Sequence, residues 1–108
     1  DAAKPERAAL QMHIEAQLGH PELSRDSLVQ DFETSRRHVF EQFEIFGGVT
    51  TYIEVRRLFR TLFALWRSPE RSDAIPGIAR TWGFDSTEAF IRAARTHYDA
   101  DPYAIFLD

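Results

Sequence analysis

The stretch that decides the fold is Ile78-Ala79-Arg80-Thr81-Trp82-Gly83-Phe84-Asp85-Ser86-Thr87-Glu88-Ala89-Phe90-Ile91-Arg92-Ala93-Ala94-Arg95-Thr96-His97-Tyr98-Asp99-Ala100-Asp101-Pro102. It opens with a short helix of apolar period and then a turn. Gly83 ends that helix because it takes the left-handed conformation without a Cβ clash. Ser86 is an N-cap, and Glu88 lies in the first turn, where negative charge is favoured. The helix that follows aims Ala89, Phe90, Ala93 and Ala94 at a core and runs out near Tyr98. Two short helices joined by a tight glycine turn form a helix-turn-helix, whose second helix fits a DNA major groove.

Gly83-Phe84-Asp85-Ser86 with Phe90, Arg92 and Pro102 at this spacing resembles the second helix-turn-helix of the AraC/XylS family of bacterial transcription regulators. An earlier stretch reads the same way. Pro21-Glu22-Leu23-Ser24 is a turn, and Ser24 and Ser27 are both placed to cap a helix carrying Leu28 and Phe32. Glu33-Thr34-Ser35 is the next turn, and Ser35 caps a helix that turns Val39 and Phe43 inward. Leu23-Ser24, Leu28, Ser35-Arg36-Arg37-His38 and Phe43 resemble the family's first unit. Two positions depart from it: Val29 stands where the family usually has a small residue, and Glu33 where it has Gly. A Glu held at positive φ costs about 1 kcal/mol, which leaves room for another turn shape here.

The remainder agrees with a helical chain. Leu10, Ile14 and Leu18 recur at helical spacing between Pro5 and Gly19. His13 and His20 lie seven residues apart with no third ligand nearby, so they read as surface histidines rather than a metal site. After Gly47-Gly48, a long helix is expected over about 49–66, the length of a linker helix. Tyr52, Ile53, Val55, Leu58, Phe59, Leu62, Phe63, Leu65 and Trp66 spread apolar surface over a broad arc, which calls for packing on both flanks. Tyr52, Arg57, Leu58 and Leu65 also match the family, and Arg56, Arg57 and Arg60 are expected to brace the two halves. Ser68 to Ala74 is a polar connection, and Pro76 starts the helix into the second unit. Asp101-Pro102 resembles the family's turn into a short last helix, Tyr103 to Phe106, although Asp99 and Asp101 replace the family's frequent Gly and Ser. No stretch alternates like a strand. The expected fold is all-α: one domain over 1–108, with helix-turn-helix subunits at about 8–47 and 67–108, and about seven helices in all.

Composition bounds the function. A chain of 108 residues with 44% hydrophobic and 28% charged residues is one globular domain. It has no cysteine, hence no disulfide or thiol chemistry, which fits a cytoplasmic setting. No apolar run is long enough to span a membrane, and no signal-peptide pattern opens the chain. With Asp1 first, it reads as a piece of a longer protein. The net charge of −4 is low for a nucleic-acid binder, but its distribution is uneven. Residues 35–71 hold seven Arg against four Glu, while the segments on either side are acidic. Twelve of the thirteen cations are Arg, suited to guanine and phosphate; a GC-rich genome gives the same bias.

The resemblance places base contacts at Arg37, Phe40 and Glu41 and at Thr87, Glu88, Ile91 and Arg92. Arg37 can donate two hydrogen bonds to guanine, and Phe40 can touch a thymine methyl. The family commonly has Arg where Glu41 stands. Glu41 and Glu88 either accept from a cytosine amino group, or pair with Arg37 and Arg92 at helical spacing, or mark weakened DNA binding. Phosphate contacts are expected from Ser35, Arg36, Ser86 and Arg95. Double-stranded DNA is the implied partner, with RNA polymerase and a separate effector or dimerisation domain behind it. No cofactor is implied. The rival reading is a protein-interaction module on the same scaffold. Catalysis has no support: Ser35 and His38 have no acid–base partner, and no metal or phosphate-loop motif occurs.

Overall fold

Seven α-helices and two 3-10 turns make up the computed structural model, which describes residues 2–106 and contains no strand among them. Asp1, Leu107 and Asp108 lie outside the described residues, the last two inside the expected second subunit. The chain divides into two units, Asp1–Glu54 and Val55–Asp108.

In the first unit α1, Arg7–Gln17, buries Leu10 and Ile14, with Leu18 just beyond its end. Ser24 and Ser27 form a reciprocal capping box at the start of α2, Arg25–Asp31, which buries Leu28 and leaves Phe32 half-buried. Ser35 Oγ accepts from the His38 N–H at 3.0 Å and starts α3, Arg36–Phe43, whose Val39 and Phe43 are fully buried. A 3-10 turn, Glu44–Phe46, then ends at Gly47 with φ 83°. The rings of Phe43, Phe46 and Tyr52 cluster beyond it at centroid distances of 4.9–6.0 Å.

Glu33 does adopt the left-handed conformation, φ 50°, so the turn keeps the shape a glycine would give it. The Glu33 N–H bonds to the Gln30 carbonyl at 3.2 Å and the Thr34 N–H to the Val29 carbonyl at 3.0 Å, the paired closure of a Schellman end. The Glu33 carbonyl is also held, by the Ala3 N–H at 3.1 Å. These bonds offset the roughly 1–2 kcal/mol that a Cβ costs in that region. The N-terminal segment supplies more of the same support. Thr34 Oγ1 donates to the Ala3 carbonyl, and the buried His38 donates from Nε2 to the Pro5 carbonyl at 2.7 Å. Arg7 Nε reaches the Gln42 carbonyl at 2.8 Å.

The second unit takes most of α4, Val49–Arg67, then a 3-10 turn, Arg71–Ala74. It continues through α5, Ile75–Thr81, α6, Thr87–Tyr98, and α7, Pro102–Ile105. Leu58, Leu65, Ile75, Phe84, Phe90 and Phe106 lead its core, with the Phe84 and Phe90 rings 5.4 Å apart. Gly83, φ 101°, closes α5 as Glu33 closes α2: Gly83 N–H to the Arg80 carbonyl at 3.0 Å and Phe84 N–H to the Ala79 carbonyl at 3.1 Å. Ser86 Oγ accepts from the Ala89 N–H at 3.1 Å. Asp99 takes φ 51° where the family often has Gly, and Asp101 caps α7 where it often has Ser.

The expectation that α4 is packed on both flanks does not hold. Leu58, Thr61 and Leu65 are buried, but Phe59, Phe63 and Trp66 are 44%, 48% and 71% exposed. The second unit's core takes up one face of the helix, and the apolar arc is wider than that face. Arg56 and Arg60 lie over rings, Phe59 at 5.0 Å and Trp82 at 5.8 Å, both within the second unit. Burial pushes the half-buried Arg57 below its usual pKa, and the Asp85 carboxylate works in the opposite direction.

The two equivalent turns are expected to respond oppositely. Glu33→Gly should stabilise the protein by about 0.5–1 kcal/mol by removing the Cβ clash, while Gly83→Ala should cost about 1–2 kcal/mol. Urea unfolding of both variants checks the signs.

Candidate nucleic-acid interface

In the first unit the site is the outer arc of α3. Its inner arc is anchored by Val39, Phe43 and His38, so the residues between them must face solvent. Arg36, Arg37, Phe40 and Glu41 are all exposed, Arg37 with 88% of its side-chain surface free. Arg37 Nε and Glu41 Oε2 sit 3.6 Å apart, the helical pairing that sequence spacing offered as one reading of Glu41. An exposed pair of this kind contributes about 0.3–0.5 kcal/mol, less than the roughly 1–3 kcal/mol of a bidentate guanine contact. The pair therefore holds Arg37 only loosely.

Arg25, Arg36, Arg37 and Phe40 line a cleft of about 410 Å³ together with Gly47, Gly48, Val49 and Thr50. Asp26 Oδ1 lies 3.5 Å from Arg25 Nε and 3.3 Å from Arg36 Nη2, so one carboxylate sits between two of the cleft's cations. Sequence reasoning missed Arg25. Its one available signal was its place directly after the Ser24 cap, on the helix that precedes α3.

In the second unit Phe90, Ala93 and Ala94 anchor α6, and Glu88, Arg92 and Arg95 are exposed, with Thr87 and Ile91 half-buried. Glu88 and Arg92 take no ion-pair partner among the described residues, unlike Arg37 and Glu41. Ser35 and Ser86 both use Oγ as an acceptor for the backbone, which leaves each hydroxyl proton able to donate outward. Arg95 is engaged: its Nη2 donates to Asp101 Oδ2 at 2.9 Å, while Asp101 Oδ1 accepts from the Tyr103 N–H at 2.9 Å. His13 is bonded to Asp31 at 3.1 Å and meets Phe32 edge-on at 5.1 Å.

The Tyr103 N–H first, then the Arg95 guanidinium, hold the Asp101 carboxyl below the usual aspartate value. A group whose folded pKa is depressed contributes above its unfolded pKa and loses that contribution as pH falls through the folded one. The α7 cap should therefore survive at pH about 4 and fail only below it. The pH dependence of the Tyr103 amide chemical shift measures this; its midpoint is expected below that of an unpaired Asp.

No family model matches the chain, and no curated protein does. Among solved structures it is similar to the C-terminal domain of the two-component response regulator YesN from Fusobacterium nucleatum subsp. nucleatum. The similarity covers 94% of this chain and 97% of that one, with a TM-score of 0.79 and 19% sequence identity. At that identity the likeness is one of fold: two helix-turn-helix units joined by a long helix.

Proposed function

We propose that this chain is a sequence-specific DNA-binding domain of a bacterial transcription regulator, acting in the cytoplasm, with α3 and α6 each reading a major-groove segment on one duplex. The observation that carries the reading is the repeated local geometry. In each unit a left-handed turn and a serine cap present a helix that is anchored on one side and bears exposed arginine on the other. The fold shared with a response regulator's C-terminal domain and the resemblance of the motifs support it.

In this reading Arg37 and Arg92 donate to guanine, Phe40 and Ile91 meet thymine methyls, and Thr87 bonds a base edge. Glu41 and Glu88 accept from cytosine amino groups. Ser35, Arg36, Ser86 and Arg95 hold phosphates, joined by Arg25 from the cleft. Arg95 must leave Asp101 to do so. RNA polymerase and an effector or dimerisation domain are the further partners.

The net charge of −4 and the carboxylates beside α3's arginines favour one second reading, a protein-interaction module. Ionic strength separates the two. The three arginines assigned to phosphates should make affinity fall by roughly 40-fold between about 50 and 200 mM salt. Sites selected from random duplexes should show two contact patches about 10 bp apart. Arg37→Ala and Arg92→Ala should each cost about 1–3 kcal/mol and relax specificity at one position, read by competition among single-base variants of the selected site. Absence of binding to any duplex pool at about 50 mM salt would favour the interaction module.

A further inference from the structure

We infer that the stripe Phe59, Phe63 and Trp66 on α4, flanked by Arg56 and Arg67, is a docking face for an acidic amphipathic helix of another protein. The stripe is independent of the helices assigned to DNA, so the inference stands or falls without them. Its residues follow the i, i+4, i+7 spacing of one helix face, and all three are largely exposed. Arg56 lies 5.0 Å from the Phe59 ring centroid and Arg67 5.8 Å from that of Phe63, and the two phenyl rings are 6.3 Å apart. Two of the three rings thus adjoin, and each of these two carries a guanidinium.

Size and charge select the occupant. An aromatic side chain offers about 150–250 Å², so at these exposures the three present roughly 300–400 Å². That is a patch of functional size for a monomer, but well below the about 800 Å² per partner of a standard interface. One helix face covers such an area, as apolar anchors three or four residues apart do when a helix lies in a groove. Of the arginines of this helix, Arg56 and Arg67 lie over rings of the stripe, whereas Arg57 interacts with Asp85 and Arg60 lies over Trp82. A second copy docked stripe to stripe would set arginine against arginine, whereas a helix with glutamates beside its apolar face meets them with opposite charge. Single-stranded nucleic acid shares that charge but needs open ring faces to stack on. Here Phe59 and Phe63 each lie under a guanidinium, so of the three rings Trp66 is the one left for a base to stack on, a single platform rather than a run of them.

The test uses a fluorescein-labelled synthetic helix with leucines at i, i+4, i+7 and i+11 flanked by glutamates, and a scrambled peptide of the same composition. Anisotropy should show the ordered peptide binding at least about tenfold tighter than the scrambled one. Phe63→Ser and, separately, Trp66→Ser should weaken it about tenfold with unchanged helical circular dichroism. Arg56→Glu with Arg67→Glu should transfer preference to a peptide with lysines in place of the glutamates. Four results would overturn the inference: equal binding of both peptides, affinity insensitive to these variants, displacement by an oligothymidine, or sedimentation of a dimer that Phe63→Ser dissociates.

Discussion

The arrangement of both units depends on a single backbone choice, the left-handed residue that ends the helix before α3 and before α6. Reversing the chain there leaves two consecutive N–H groups free to close on the helix end, and both units use them identically. The next residues can then place a serine as cap, and the following helix starts in a fixed direction. Glycine supplies this conformation in the second unit at little cost. In the first unit a glutamate supplies it, and a bond from a distant part of the chain joins the local ones in offsetting the cost.

Electrostatics divides α3 from α6. On α3 the arginines have carboxylates within reach, Asp26 beside Arg36 and Glu41 beside Arg37. On α6 Arg92 has none among the described residues, whereas Arg95 is drawn away to the start of α7. A modest net charge is therefore compatible with locally available cations, because the exposed pairs are weak and easily exchanged for phosphate or base.

How much of this was legible in the sequence follows from the range of each interaction. Caps at Ser24, Ser35 and Ser86 close over three residues, so residue type and spacing reveal them. Buried positions such as Leu10, Ile14, Val39, Phe43 and Phe90 follow from helical period alone. Glu33 was opaque because part of what stabilises its φ comes from Ala3, thirty residues away. The exposure of Phe59, Phe63 and Trp66 was opaque for a related reason. Period measures how wide an apolar arc is, and says nothing of how much neighbouring chain arrives to cover it. Arg25 escaped notice because a cleft is assembled from three separate elements.

Residues 2–6 have no period and no secondary structure, yet the Ala3 and Pro5 backbone groups are hydrogen-bonded to Glu33, Thr34 and His38. A fragment trimmed to begin where helix begins, at Arg7, would keep every regular element and lose those tethers. The damage would surface not at the cut but some thirty residues downstream, as a loosened turn and an α3 without its rear anchor.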